Sequence, residues 1–213
     1  MKQEKEENYC TLYLVRHGET EWNKNHITMG QKDSPLTQDG IRQAEETAKE
    51  LQNVNFDKIF SSDSLRTRRT AEIIKLERQL VIETSKLLRE RSYGHFEGKP
   101  GIQYKEVIKD LLEQVQQLPE EERWKFKFGD DVESDYELVS RFITQLREIA
   151  VAYPSKTVLV ATHGGCIRMF LMRVGYFKYG ELPGGSFKNA GYVKLLSDGV
   201  DFFIKEVKGI KKP

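Results

Sequence analysis

Two apolar runs that lie far apart in the chain both end at a histidine followed by glycine. The first, Tyr9 to Val15, stops at Arg16-His17-Gly18, and the second, Thr157 to Thr162, runs into His163-Gly164-Gly165. Short apolar runs with such abrupt ends are typical of buried strands. Because ligands of open α/β sheets bind beyond the carboxyl ends of the strands, the two histidines are expected to meet in one crevice.

Strand and helix patterns alternate along the rest of the chain. Helices are predicted after the capping residues Thr37 and Ser134 and over Leu65 to Leu76, because their apolar residues follow helical spacing. The further strands are predicted at Ile59-Phe60, Leu80 to Thr84, Gly191 to Leu195 and Val200 to Val207. The alternation predicts a three-layer α/β fold, with a mostly parallel sheet, helices on both faces and a C-terminal hairpin at the edge.

The length of 213 residues suits one domain covering residues 1–213. Residues 89–132 depart from the strand and helix alternation and are predicted to form a small cap-like excursion. This excursion contains a strongly amphipathic helix from Tyr104 to Leu118, which Pro119 ends. Residues 19–36 show no sustained period and are predicted to form a long loop over the site.

The charge balance excludes a global electrostatic field, since 34 basic and 33 acidic residues leave a net charge of +1. The chain is therefore not expected to bind nucleic acid or anionic membranes, and any anion site must be local. Residues 1–8 lack the apolar core of a signal peptide, and no apolar stretch of the sequence is long enough to cross a bilayer. With two cysteines and no disulfide framework, a cytoplasmic protein is expected.

Arg16 and Arg66 are candidates for binding an anion, because a guanidinium fork matches the oxygen geometry of phosphate. Taken alone, Arg66 would more simply be a solvated residue at the basic start of a helix. Arg16 is harder to explain in this way, because an arginine at the end of an apolar strand needs a partner or a solvated cleft.

His17 and His163 are candidates for catalysis because they occupy matched settings at two strand ends. Nearby arginines disfavour the protonated form of a histidine and leave a ring nitrogen free to attack phosphorus. Zinc binding is the competing interpretation. Neither His-Glu-x-x-His nor paired Cys-x-x-Cys spacing occurs in the chain, so the sequence favours phosphate over a metal.

The first of these stretches, residues 14–23 with the sequence LVRHGETEWN, resembles the signature of the histidine phosphatase superfamily, also called the phosphoglycerate mutase-like family. Further blocks occur in the family's order and span most of the chain. They are residues 33–37 with Gly40, residues 61–66 with Thr70-Ala71, residues 88–94 with Glu97-Gly98, and residues 163–165.

The resemblance implies a role for each matched residue. It implies that His17 becomes phosphorylated, that Glu90 donates the proton, and that the phosphoryl oxygens are held by Arg16, Arg66 and His163, with Asn23 and Gly164 as further phosphate contacts. Without the motif, Glu90 would be taken as a loop glutamate paired with Arg89 or Arg91. Met29 stands where many members have glutamine at the substrate mouth, while His26 and His95 match no required position.

The sequence therefore predicts a phosphatase that hydrolyses a small phosphorylated metabolite through a phosphohistidine and needs neither a metal ion nor another cofactor. A phosphoglycerate mutase is the alternative within the family. Such mutases typically carry adjacent arginines in the excursion, whereas this chain has isolated Arg123, Lys125 and Lys127 there. A catalytically idle phosphate-binding or interaction module is the alternative of a different class.

Overall fold

The computed structural model describes residues 8–75 and 78–210, and a six-stranded sheet forms its centre in the order β3-β2-β4-β1-β5-β6. The strands are β1 (Cys10–Arg16), β2 (Lys58–Ser62), β3 (Ile82–Ser85), β4 (Thr157–Thr162), β5 (Phe187–Ser197) and β6 (Phe202–Ile210). The pairs β3-β2, β2-β4 and β4-β1 are parallel, while β5 runs antiparallel to β1 and β6. The predicted mostly parallel sheet with an edge hairpin is confirmed.

Seven α-helices accompany the sheet within the described residues. They are α1 (Glu21–Lys24), α2 (Gln38–Glu50), α3 (Leu65–Lys75), α4 (Gly101–Gln116), α5 (Glu120–Lys125), α6 (Asp135–Ala152) and α7 (Gly164–Arg173). Thr37 and Ser134 cap α2 and α6 with their hydroxyls, as predicted. The capping box of α6 also uses Glu137, whose side chain returns to the backbone of Ser134.

Alternating residues of β1 build the two cores of the three-layer fold. Leu12 and Leu14 pack with residues of α6 and α7, whereas Tyr13 and Val15 pack with residues of α2 and α3 on the opposite face. A strand buried on both faces is apolar throughout, because successive side chains point to opposite sides. This explains the unbroken apolar run that ends at Arg16.

Several element boundaries differ from the sequence prediction. The loop 19–36 contains the four-residue helix α1, which is too short to show a helical period. Helix α7 begins at Gly164, directly after His163, and the sequence does not predict this start because Gly164 and Gly165 carry no periodic apolar signal. Helix α4 exists, but of its residues only Ile108 and Val115 are buried, while Ile102, Val107 and Leu112 are exposed. Its apolar stripe is therefore only partly covered by the described residues.

Some expectations lie outside the described residues. The charged amino-terminal stretch is described only at Asn8, and the predicted end of α3 at Leu76 falls in the gap after Lys75. Across residues 8–75 and 78–210, every helix is too short or too polar to span a bilayer.

Candidate active site

The pairing register of β1 and β4 places the two histidines side by side. Arg16 lies opposite Thr162 in the parallel ladder, so His17 and His163 are the next residues on adjacent strands. The backbone N–H of His17 donates to the Thr162 carbonyl at 3.0 Å, and the two imidazole ring centroids are 5.4 Å apart. Two motifs that are almost 150 residues apart in sequence thus converge at the carboxyl edge of the sheet.

The structure fixes the tautomer of the His17 ring. Its Nδ1 lies 2.7 Å from the Gly18 carbonyl, which can only accept a hydrogen bond, so Nδ1 carries the proton. Burial, followed by the charges of Arg66 and Arg16, lowers the pKa of His17 well below its usual range, although the Gly18 bond opposes this shift. The neutral ring therefore has its lone pair on Nε2.

Arg66 lies at the first turn of α3 and is only 2% exposed. Its Nη1 donates to the carbonyl of Lys32 at 2.7 Å and to Asp33 Oδ1 at 3.0 Å. Its Nη2 donates to the Gly30 carbonyl at 2.8 Å and to His163 Nδ1 at 3.1 Å. The terminal fork is therefore engaged by the protein itself, and Nε–H is the donor that remains.

His163 is fully buried, and the bond from Arg66 determines its tautomer as well. Because the guanidinium has no acceptor, His163 Nδ1 must accept, which leaves the proton of the neutral ring on Nε2. Burial and then the charge of Arg66 lower the pKa of His163 well below its usual range. His163 therefore presents an Nε2–H donor, whereas His17 presents an Nε2 lone pair.

Three buried donors of the site have no hydrogen-bond partner within the described part of the chain. They are the Nε2–H of His163 and the Nε–H groups of Arg16 and Arg66. A buried donor without a partner costs about 1–3 kcal/mol, so such groups are rare unless a ligand satisfies them. An anion with several acceptor oxygens is the ligand that suits two guanidinium groups and an imidazole N–H.

Arg16 passes close to the start of α7, where only glycine leaves room for it. A Cβ at Gly164 would lie 2.9 Å from Arg16 Nε and 3.1 Å from its Cδ. Arg16 also donates through Nη1 to the Phe187 carbonyl. Burial, the largest influence, lowers the pKa of Arg16 to about 10, so its guanidinium remains charged at neutral pH.

Asn23 reaches the site because α1 turns the chain back after β1. The hydroxyl of Thr20 accepts from the Asn23 backbone N–H at 3.2 Å, and Asn23 Oδ1 accepts from the Thr20 N–H at 3.2 Å. Asn189 Nδ2 donates to the same oxygen at 3.3 Å. With Oδ1 occupied, the amide NH₂ of Asn23 is the group that can contact a ligand.

Glu90 is held by the backbone on both sides of its carboxylate. Oε1 accepts from the Arg91 N–H at 2.8 Å, and Oε2 accepts from the Gly165 N–H at 2.9 Å. A Cβ at Gly165 would lie 2.9 Å from Glu90 Cδ, so this second glycine makes room for the carboxylate. The carboxylate of Glu90 thus reaches the first turn of α7.

A cavity of about 230 Å³ collects most of the residues predicted for the site. Its lining includes Arg16, His17, Asn23, Arg66 and Glu90. A second cavity of about 150 Å³ shares Arg16 and Glu90 and also touches Gly164. His163 lines neither cavity, but it contacts Arg66 and lies beside His17. All seven predicted site residues are therefore in one neighbourhood, while their roles stay predictions.

The structure also brings residues to the site that the sequence did not single out. Tyr93, Tyr104 and Lys105 line the larger cavity, and the last two come from α4. Asp33 pairs with Arg66, as above, and also accepts from the backbone N–H groups of Leu65 and Arg66 at the start of α3. The block of residues 33–37 was noted in the sequence, but a carboxylate in an aperiodic loop carries no signal of its partner.

Other residues considered in the sequence lie away from these cavities. Arg123 stacks over the Tyr179 ring, Lys125 over Tyr136, and Lys127 pairs with Glu137 at 2.7 Å. None of the three cations lines either cavity. His95 pairs with Asp131, and neither His95 nor His26 lines either cavity.

The side chains around His17 bear on whether the site binds phosphate, as predicted, or a metal ion. In the described ranges, no group of three or more His, Cys, Asp and Glu residues is arranged to hold a metal ion. The larger cavity around His17 is lined by three cations, Arg16, Arg66 and Lys105, and by one carboxylate, Glu90, a balance of charge that suits an anion rather than a cation.

The family model of the histidine phosphatase superfamily (branch 1) matches residues 12–208. The chain belongs to the histidine phosphatase superfamily. The match spans the blocks at residues 16–18 and 163–165, and it confirms the resemblance inferred from the sequence.

Among the relatives, the "Uncharacterized phosphatase PhoE" of Bacillus subtilis (strain 168) is 35% identical over 161 residues, covering 76% of this chain and 75% of that protein. The "Probable phosphoglycerate mutase GpmB" of Yersinia pestis (strain Pestoides F) is 43% identical over 114 residues, which cover 54% of this chain and 47% of that protein. The solved structure of Bacillus stearothermophilus YhfR superimposes with a TM-score of 0.81 at 27% identity, covering 95% of this chain and 98% of that one. Relatives in this superfamily thus carry both phosphatase and mutase names.

Proposed function

We propose that this protein is a metal-independent phosphatase that hydrolyses a small phosphomonoester through a phosphohistidine at His17. The observation that carries the proposal is the neutral His17 ring, with its Nε2 lone pair, beside three buried donors that lack partners. A nucleophile and unsatisfied donors for anionic oxygens are the two requirements of phosphoryl transfer without a metal.

In the first step, His17 Nε2 forms a bond to phosphorus while the bond from phosphorus to the ester oxygen breaks. Arg16, Arg66 and the Nε2–H of His163 balance the negative charge on the phosphoryl oxygens. Glu90, in its protonated form, gives its proton to the departing oxygen. In the second step, the Glu90 carboxylate takes a proton from water as that water attacks the phosphohistidine, which releases phosphate and restores both residues.

The size of the larger cavity favours a small substrate, because its volume of about 230 Å³ must hold both the phosphoryl group and the leaving group. Ile27, Met29 and Tyr104 give its wall an apolar part, and the exposed Lys105 adds a cation. We propose that the excursion 89–132 acts as the cap of a single domain, because α4 supplies part of this wall. A phosphorylated metabolite with a short organic portion fits these surroundings.

A phosphoglycerate mutase is the second candidate, supported by the similarity to GpmB. A mutase must keep the dephosphorylated acid bound long enough to return the phosphoryl group to it. Since Arg123, Lys125 and Lys127 lie outside both cavities, Lys105 and Arg168 are the cations beyond Arg16 and Arg66 that could hold a carboxylate there. This small number of cations favours release of the product and hence hydrolysis.

The proposal is tested with purified protein and a panel of phosphorylated metabolites, with release of inorganic phosphate as the readout. Hydrolysis that survives dialysis against a strong chelator supports it, because Arg16 and Arg66 then replace the metal cations of other phosphatases. Activity that the chelator abolishes and zinc or magnesium restores would contradict it. Transfer of the phosphoryl group between 2- and 3-phosphoglycerate without release of phosphate would favour the mutase.

A further inference from the structure

The backbone segment that carries Glu90 is tied to α6 by Arg141. Its Nη1 donates to the carbonyls of Leu87 at 2.9 Å and Arg89 at 2.6 Å, and its Nη2 donates to the carbonyl of Glu90 at 3.0 Å. Three backbone carbonyls within four residues thus converge on one guanidinium group. No element of regular secondary structure fixes residues 89–93, so these bonds take the place of a helix or strand ladder.

Glu133 holds the same guanidinium group from the other side. Its carboxylate accepts from Arg141 Nε at 2.6 Å and Nη2 at 2.9 Å, which is a bidentate pair. Glu133 also accepts from the Ser92 N–H at 3.1 Å, and its own N–H donates to the Ser92 carbonyl at 2.9 Å. Arg141 and Glu133 together therefore fix the backbone on both sides of Glu90.

Arg141 acts at a distance from any substrate, because it lines neither of the two site cavities. Its effect passes through the backbone of Glu90 to the carboxylate that the Gly165 N–H holds at 2.9 Å. The planar guanidinium presents its donors in fixed directions, whereas a lysine ammonium is a single point with flexible reach. Lysine at position 141 would keep the charge but could not reproduce all five bonds.

We propose that Arg141, locked by Glu133, is the positioning residue that keeps Glu90 within reach of the leaving-group oxygen. This inference rests on the proposed function, since it assigns the alignment of that function's proton donor. Neither residue touches the reacting atoms.

The charge of Arg141 has a second influence, because it also lowers the pKa of the buried His163. Geometry and charge must therefore be separated. Arg141→Lys does so, since it retains the positive charge near His163 and removes the planar fork. Arg147→Lys, on an exposed position of the same helix, is the matched control.

The experiment measures single-turnover formation of the phosphoenzyme from an alkyl phosphate and from p-nitrophenyl phosphate. Arg141→Lys should slow the reaction of the alkyl phosphate about 10²-fold, the scale expected for displacement of a catalytic group by roughly 1 Å. The nitrophenyl ester, whose leaving group needs little protonation, should be slowed only a few-fold. Inhibition by inorganic phosphate should be unchanged, and Arg147→Lys should behave as wild type.

A double-mutant cycle distinguishes positioning of Glu90 from a general structural role. If Arg141 acts through Glu90, the double variant Arg141→Lys/Glu90→Gln should be no slower on the alkyl phosphate than Glu90→Gln alone. Glu133→Gln should show the same dependence on the leaving group. Additive losses, or equal losses on both esters, would overturn the proposal.

Failure of folding is also informative here. If Arg141→Lys does not fold, the same kinetic measurements are made on Glu133→Gln. Loss of cooperative melting in both variants would show that Arg141 and Glu133 stabilise the fold rather than position Glu90, and it would overturn the inference. The proposed function is judged separately, by whether wild type forms a phosphoenzyme at all. A wild type that does so, with an Arg141→Lys variant of unchanged leaving-group dependence, refutes only the role of Arg141.

Discussion

Gly165→Ala tests whether the position of Glu90, rather than its mere presence, controls catalysis. A Cβ at Gly165 would lie closest to Glu90 Oε1, and it would also lie 2.9 Å from Cδ and 3.0 Å from Oε2 of the same carboxylate. Because non-bonded heavy atoms prefer about 3.5 Å or more, relief of the contact with Oε1 requires the carboxylate to move by roughly 1 Å. The carboxylate is the end of a flexible side chain, so it can move away without disturbing the fold.

The expected cost is therefore catalytic and not structural. A displacement of about 1 Å corresponds to a loss of roughly 10²-fold in rate, or about 2.7 kcal/mol of transition-state stabilisation. Alanine is also more favourable than glycine within a helix by roughly 0.5–1 kcal/mol, so α7 should not be destabilised. Gly165→Ala should melt no lower than wild type and hydrolyse alkyl phosphates about 10²-fold more slowly.

The assay compares kcat for an alkyl phosphate and an aryl phosphate with the melting temperature of each variant. Gly184→Ala is the control, because Gly184 lines the same second cavity and a Cβ there meets nothing within 4 Å among the described residues. Unchanged kcat on the alkyl phosphate in Gly165→Ala would refute the reasoning. A similar loss in Gly184→Ala would point to blockage of the cavity in place of displacement of Glu90.

Two further predictions follow from the charges of the site. Lys105 is exposed and lines the larger cavity, so Lys105→Met should raise KM for a phosphate ester with a second negative group and leave KM for a simple aryl phosphate unchanged. Equal changes in KM for both esters would count against this prediction. The pKa values of His17 and His163 are lowered in the folded state. Below about pH 6.5 these two histidines are therefore protonated in the unfolded chain but stay neutral in the folded protein. Urea unfolding should therefore show stability falling by up to about 1.4 kcal/mol per pH unit for each histidine between pH 6.5 and 5.5, and His163→Gln should reduce the slope. A wild-type stability that is flat over this range would contradict the buried, neutral histidines.

The sequence could predict the parts of the site that repeat a local pattern. His17 and His163 each follow an apolar run and precede glycine, so their convergence follows from the rule that parallel strands end at one edge. The capping residues Thr37 and Ser134 likewise carry their signal within four residues. These are short-range patterns, and the structure confirms the elements they predict.

The contacts that fix the site are long-range, and no local pattern predicts them. Arg66 gives its terminal fork to Asp33, Gly30, Lys32 and His163, so Nε–H is the donor left for a ligand. From the sequence alone, the fork itself was the expected phosphate ligand. The link from Arg141 to Glu90 also joins α6 to an aperiodic loop 51 residues earlier in the chain. Such pairings depend on how loops pack in three dimensions.

The excursion 89–132 shows a second limit of prediction from apolar spacing. The apolar spacing of α4 correctly predicts a helix, but it does not say which neighbour covers the apolar residues. Val107 and Leu112 remain exposed, while Tyr104 and Lys105 of the same helix line the cavity. Likewise, the sequence places the cations Arg123, Lys125 and Lys127 in the excursion, but it does not say that they lie against Tyr179, Tyr136 and Glu137.

The central claim is that His17 is the nucleophile, and rapid chemical quench with a ³²P-labelled phosphomonoester tests it most directly. Wild type should trap a phosphoenzyme that is labile in acid and stable in base, because a phosphoramidate bond to an imidazole nitrogen has this stability. His17→Ala should form none, whereas Glu90→Gln should still form it from an aryl phosphate. Normal turnover in His17→Ala, or a label that is stable in acid, would contradict the assignment.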